Sequence, residues 1–439
     1  MKDTAHKRRI LGSQDYKTLS LSALGGALEF YDFIIFAFFS VVISKLFFPP
    51  DMPLWLSQLQ TFGIFAAGYL VRPFGGIVMA HFGDLIGRKK MFTLSIFLMA
   101  LPTLLIGFLP TYSSFLGYGA PILLLLFRVC QGLAVGGEVP GAWTFVSEHV
   151  PKDRVGIACG ILTAGLSLGI FLGSLVFLIM NSSLTTEEMN AWGWRVPFIV
   201  GGIFGFIAMY LRHFLQETPI FIEMQKRKEK ETKKKLPVLT VLSQFLPQVT
   251  LSMLLTWVLS AGIMIMFIVS HTYLGEKGFG FANTNIADAK LIGTVGLMLG
   301  CIIYGLLADR FPIGKIITGG CFIATLSLIA FFSLLDNSNI TSFYVLYFIA
   351  GTCVGVVGCF AVYMVRAFIA EVRYSGVSFS FNVAYAIAGG LTSIFIPFLS
   401  TVFSKYASGF YVISLFIIGI LVGLYITLSN QEKKFATDI

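Results

Sequence analysis

Apolar runs, each long enough to cross a bilayer and separated by short charged stretches, constrain this chain more than any other feature. A spanning helix needs about 20 such residues, and twelve segments meet that length: approximately 19–47, 54–82, 91–109, 120–149, 155–181, 193–214, 241–274, 284–308, 314–335, 341–369, 374–403 and 406–430. Backbone polar groups inside lipid must be satisfied within their own segment, so each run is expected to be a helix. The fold class that follows is an all-α membrane protein of twelve transmembrane helices. Only 12% of the residues are charged, against roughly a quarter in a soluble domain. The net charge of +9 sits mostly in loops and tails, so it reads as topology and no nucleic-acid partner is expected.

Loop charge sets the orientation. Of the Lys and Arg residues, 24 fall on the side that carries both termini, about five on the other, and two within spans. By the positive-inside rule both termini are expected in the cytoplasm, with the chain integral to the plasma (inner) membrane. No cleavable leader is expected, because the polar, basic stretch Met1 to Lys17 is not followed by a short apolar run and cleavage site. The most basic stretch, Gln225 to Lys235, lies midway along the chain and reads as a linker near anionic lipid.

A weak internal repeat supports the same division. Gly83-Asp84 closes the second segment as Ala308-Asp309-Arg310 closes the eighth, 225 residues later, and the stretches around Arg154 and Arg373 correspond at an offset of 219. The expected organisation is a tail over 1–18, a six-helix bundle over 19–214, a basic linker over 215–240, a second six-helix bundle over 241–430 and a tail over 431–439. Two duplicated bundles are the architecture of many secondary carriers.

Several ionisable residues lie where charge is expensive and are functional candidates for that reason. Glu29, Asp32, Arg72, Arg128 and Glu138 all fall inside apolar spans. Glu29, Arg72 and Glu138 are each roughly ten or eleven residues from the cytoplasmic end, and at 1.5 Å per residue they share a level. Glu29 and Asp32 share a helix face, as do Arg128, Gln131 and Glu138. Two readings follow: fixed ion pairs that lock helices, or a polar cavity in which Asp32, Glu29 and Glu138 exchange a proton while Arg72, Arg128 and Gln131 hold a solute. Tyr273, Asn382 and Tyr385, on segments seven and eleven, are weaker candidates for binding across that cavity. Lys290 and Asp288 open the eighth segment and read as solvated, and His271 and His213 read as interfacial.

At the end of the second segment, Gly83-Asp84-Leu85-Ile86-Gly87-Arg88-Lys89-Lys90 combines an acid, bases and two glycines. Positive-inside anchoring accounts for the lysines but not for the acid and glycines, so the turn is read as a conformational latch. No Cys/His cluster of metal-ligand spacing and no G-x-x-x-x-G-K-[ST] loop is present. Neither a metal nor another cofactor is expected.

That turn resembles the loop between helices two and three of the major facilitator superfamily. Glu29-Phe30-Tyr31-Asp32-Phe33, Arg72-Pro73-Phe74-Gly75-Gly76, Leu126-Phe127-Arg128-Val129-Cys130-Gln131-Gly132 with Gly136-Gly137-Glu138, Trp192 to Phe198, and Glu217-Thr218-Pro219 resemble its metabolite:proton symporter family. That family includes carriers of proline and betaine, α-ketoglutarate, citrate and shikimate. The resemblance implies the major facilitator fold and an inner gate formed by Asp84 and Arg88 with Glu148 and Arg154. It also implies that Asp32 opposite Arg128 couples transport to protons. The second half departs from the pattern: Arg366 stands where the family has a glutamate seven residues before the arginine matching Arg373, and Phe311-Pro312-Ile313-Gly314-Lys315 replaces the usual basic run. Glu371 or Asp309 pairing with Arg366 would restore part of a second gate.

The function expected is a proton-coupled symporter, not an enzyme, importing a small carboxylate or zwitterionic metabolite as a monomer in the lipid bilayer. A proton-driven exporter of the same fold is the alternative, and a non-transporting receptor or membrane-embedded enzyme a more distant one.

Overall fold

The computed structural model describes residues 11–228, 237–275, 278–402 and 404–429. The centre of the basic linker and the outer parts of both tails lie outside the described residues. Twelve long helices run back and forth: α1 Ser13–Phe38, α2 Leu54–Ile86, α3 Arg88–Phe108, α4 Gly119–His149, α5 Val155–Ser183, α6 Arg195–Arg212, α7 Leu246–Ile268, α8 Asn283–Ala308, α9 Ile313–Ser333, α10 Ile340–Ala367, α11 Arg373–Val402 and α12 Ala407–Leu428. Eleven have the length and hydropathy of membrane spans. The twelfth, α11, is 30 residues long and carries no charge from Phe381 onward. Large apolar side chains such as Phe74, Ile122, Ile207, Phe322 and Leu421 stay exposed on the outside of the bundle, as a lipid-facing belt requires.

The helices form two six-helix bundles, α1–α6 and α7–α12, in contact along α5 with α8 and along α2 and α4 with α11. Small residues allow the first contact: a Cβ at Gly160 would lie 2.6 Å from the Cys301 carbonyl oxygen, and one at Gly305 2.7 Å from that of Gly156. Close backbone approach of this kind is how helices associate where lipid removes the hydrophobic drive.

Two segments expected to be continuous end in a short second helix. α1 ends at Phe39 (φ −86°, ψ 4°) before a short helix, Ser40–Leu46. α7 passes through a π-helical turn, Met264–Ile268, and ends at Val269 (φ −93°, ψ 8°) before Ser270–Leu274. Both break residues occupy the sparsely populated bridge region, at corresponding places in the two bundles. α2 bends at Val71, where Pro73 lacks the N–H that would bond the carbonyl of Tyr69. Arg72 therefore sits at a kink.

The turn after α2 is made by Gly87 alone, whose φ of 122° excludes other residues. Gly83 is helical and faces Tyr374 of the second bundle. The Glu217-Thr218-Pro219 motif has a structural role beside it. The Glu217 carboxylate accepts from the Lys89 N–H at 3.2 Å, stabilising the N-terminus of α3. Arg195 serves the other end of α3, donating to the carbonyls of Gly107 and Leu109 at 3.0 and 2.8 Å.

Candidate functional site

The polar residues gather at three levels. Midway along the first bundle, Asp32 of α1 faces α3 and α4. Its Oδ1 accepts from the Thr103 hydroxyl at 2.8 Å, and its Oδ2 from Gln131 Nε2 at 2.8 Å and Arg128 Nη1 at 3.2 Å. Arg128 also donates to Gln131 Oε1 at 2.8 Å, and its guanidinium lies 4.0 Å from the Phe36 ring centroid. Asp32, Arg128 and Gln131 thus meet as expected, and Thr103 joins them. Sequence reasoning missed Thr103 because a threonine in a span usually returns its hydroxyl to its own helix. It does so here as well, to Met99 O at 2.8 Å.

Beside this set, Arg72 Nη2 is 3.8 Å from Glu29 Oε1, an ion pair beyond hydrogen-bonding distance. Neither Nε nor Nη2 of Arg72, nor Oε2 of Glu29, has a hydrogen-bond partner among the described residues, although both side chains are buried. Aromatic faces hold the guanidinium, with Tyr385 at 4.5 Å, Phe381 at 5.7 Å and Tyr69 at 5.9 Å. A small void of about 10 Å³ lies among Asp32, Arg72, Arg128 and Gln131.

Glu138 is held elsewhere. It is bound bidentately by Arg212 of α6 and also bonded by the Ser95 hydroxyl, all fully buried. Nothing in the pattern singles out Arg212, which ends a span where a positive anchor is ordinary. Tyr273 also stands apart: its hydroxyl donates to the Ile265 carbonyl at 3.0 Å and its ring packs on Phe332 at 5.6 Å, within the second bundle.

At the end of the molecule where the linker helices Pro219–Lys228 and Pro237–Gln244 lie, the bundles are joined. Glu148 pairs with Arg88 of its own bundle and, at 2.9 Å, with Arg373 Nη1 of the other. Arg88 donates to the Ala370 carbonyl at 2.8 Å. Asp84 accepts from the Ser375 N–H at 3.1 Å and its hydroxyl at 2.8 Å, at the N-terminus of α11. Asp309 repeats this arrangement at α5, accepting from the N–H groups of Gly156 and Ile157 at 2.5 and 3.0 Å. Of the expected set Arg88 and Glu148 meet, and Arg373 of the other bundle joins them. Arg366 donates to the Lys152 carbonyl at 3.3 Å rather than pairing with Asp309 or Glu371. Asp309 is thus engaged by backbone groups, whose availability at a helix start carries no residue signature.

Above this end, α11 runs along α2 and α4. Tyr374 donates to the Gly137 carbonyl at 2.7 Å, Ser378 to that of Gly76 at 2.9 Å, and Asn382 to that of Gly136 at 2.6 Å. The Tyr374 ring lies between Gly83 and Gly141, where side chains would collide with it.

At the opposite end the bundles are apart, enclosing a cavity of about 390 Å³ lined by α1, α5 and α8 with His271. Lys290 lines it and, contrary to the solvated position expected, is buried at 6% exposure with its Nζ 4.3 Å from the Phe38 ring. Asp288 meets the expectation better, half-buried with the Tyr344 hydroxyl at 3.4 Å.

Comparison with known proteins agrees with this arrangement. The chain matches the Major Facilitator Superfamily over residues 33–393. It is 32% identical over 406 residues to the inner membrane metabolite transport protein YhjE of Escherichia coli strain K12, covering 90% of each chain. It is 31% identical over 420 residues to the shikimate transporter of the same strain (90% and 91% covered), and 30% identical over 426 residues to a putative proline/betaine transporter of Staphylococcus haemolyticus (96% and 90%). Among solved structures, the proton:xylose symporter XylE bound to 6-bromo-6-deoxy-D-glucose superposes with a TM-score of 0.77 at 16% identity, covering 94% and 95% of the two chains. The chain is therefore a multi-pass membrane transporter, not an enzyme, and belongs to the major facilitator superfamily.

Proposed function

We propose that this chain is a proton-coupled importer of a small carboxylate or zwitterionic metabolite, acting as a monomer by alternating access between bundles 19–214 and 241–430. The observation that carries the proposal is the buried Asp32, Arg128, Gln131 and Thr103 set beside the loosely paired Arg72, between a joined end and an open end. Ionised Asp32 keeps Arg128 occupied. A proton on Asp32 weakens that hold and frees a guanidinium whose fork matches a carboxylate bidentately. Arg72, with donors unmatched by Glu29 and a flat aromatic support, supplies the second fork, and Tyr385 and Asn382 close the site from α11. Glu138 serves as the anchor of Arg212 and Glu29 as the counter-charge of Arg72.

In this reading the joined end is cytoplasmic, with both termini, in the inner membrane. Asp84, Arg88, Glu148, Arg373 and Asp309 hold it shut while the site faces outward, and Arg154 and Arg366 add positive charge beside Asp309. The names of the relatives, which include metabolite, shikimate and putative proline/betaine transporters, support the solute class. The test is uptake of shikimate, proline and glycine betaine by proteoliposomes of either orientation under an imposed pH gradient. Accumulation driven by an inward proton gradient supports import. Accumulation only in inside-out vesicles reverses the direction, and gradient-independent equilibration of every solute defeats proton coupling.

A further inference from the structure

Three acid and base pairs balance one another in the first bundle: Asp32 with Arg128, Glu29 with Arg72, and Glu138 with Arg212. Lys290 balances nothing. Its side chain makes no ion pair among the described residues, and the residues lining its cavity include no carboxylate. Asp288, two positions earlier on α8, is engaged with Tyr344 instead. An ammonium withdrawn from bulk water without a counter-charge is unfavourable, and one aromatic face at 4.3 Å offsets only part of that. The cavity beside it is roomy, at about 390 Å³, within the range of metabolite sites. Asn181, Ser174, Asn283 and His271 add polar groups around its wall.

We infer that this cavity is an anion-receiving site in which Lys290, backed by Phe38, holds the carboxylate of an incoming organic anion before it reaches Arg72 and Arg128. The inference rests on the transport reading for its direction and narrows the solute class. One uncompensated positive charge on the way in favours a solute with net negative charge over a zwitterion. An anion here spans the gap between α1 of one bundle and α8 of the other, so its arrival also draws the open end together.

The test uses the full chain in proteoliposomes with Ala287→Cys on the cavity wall and Cys130 and Cys353 replaced by serine. Rates of labelling by an anionic sulfonatoethyl and a cationic trimethylammonium methanethiosulfonate are compared. With Lys290→Gln the anionic-to-cationic rate ratio is expected to fall about tenfold, as for loss of a focusing charge, and Lys290→Arg is expected to restore it. Succinate should slow labelling in the Lys290 chain but not in Lys290→Gln, and glycine betaine should slow neither. A ratio unmoved by Lys290→Gln overturns the inference, as does equal protection by glycine betaine. Labelling needs no turnover. A chain that moved no solute yet kept the Lys290-dependent ratio would sink the transport reading and leave the anion site standing.

Discussion

Replacing Glu148 by glutamine removes the carboxylate that forms ion pairs with both Arg88 and Arg373 at the joined end. Their side chains are 1% and 8% exposed there, so the substitution leaves Arg88 with Asp84 alone among the described residues, at 3.6 Å, and takes from the buried Arg373 its ion pair with Glu148. Breaking a buried pair from one side costs about 3–5 kcal/mol, and the glutamine oxygen returns roughly 1 kcal/mol as a neutral hydrogen bond. When the bundles part, both arginines reach water, so the remaining 2–4 kcal/mol, approximately, falls on the joined state alone. At 1.4 kcal/mol per factor of ten, the joined-to-open ratio drops on the order of 30- to 700-fold. Ser167 reports the change, since it lines a small internal void with Phe30, Trp143 and Phe381 and is 2% exposed in the joined state. A Ser167→Cys carrier in inside-out vesicles should react with an impermeant maleimide at least tenfold faster when Glu148→Gln is added. Labelling within twofold of the parent, in protein inserted at the parental level, would refute the gate.

Other outcomes follow from the same geometry. Asp32→Asn should abolish proton-driven accumulation while leaving solute counterflow, and a mutant that still concentrates solute removes Asp32 as the coupling group. Gly141→Leu should also expose the Ser167→Cys reporter, because the atoms nearest a Cβ there all belong to Tyr374 of the other bundle. Adding Tyr374→Ala should restore protection if the clash is the cause. Arg72→Lys should weaken carboxylate counterflow about tenfold, since an ammonium offers neither the fork nor the flat face that lies 4.5 Å from Tyr385. Equal activity of the two residues would mean that Arg72 acts only as a charge.

What could be read in advance divides along physical lines. Helix existence followed from apolar runs, and α3, α4, α8 and α9 lie within about three residues of the expected bounds because lipid fixes their length. The meeting of Asp32 with Arg128 was implied by the family resemblance, and Gln131 by its place on the Arg128 helix face. Arg88 and Glu148 were expected in one gate, but the pairing of Glu148 with Arg373 was not: Arg373 is 225 residues away and is brought close by the packing of α11 on α4. Lys290 was misplaced because depth counted along a segment says nothing of which face meets Phe38. The individual roles of Gly83 and Gly141 come only from Tyr374 of the opposing bundle.

The breaks at Phe39 and Val269 give the two ends of the carrier different mechanics. The joined end is made by helices meeting through ions, hydrogen bonds and a ring seated between glycines, so separating it means breaking those contacts together. At the other end α1 and α7 each carry a joint at the same position, so their tips can swing without dragging the bundles. Opening on one side then behaves like a latch and closing on the other like a pair of fingers, and a mutation that stiffens either joint should slow the carrier without moving the latch.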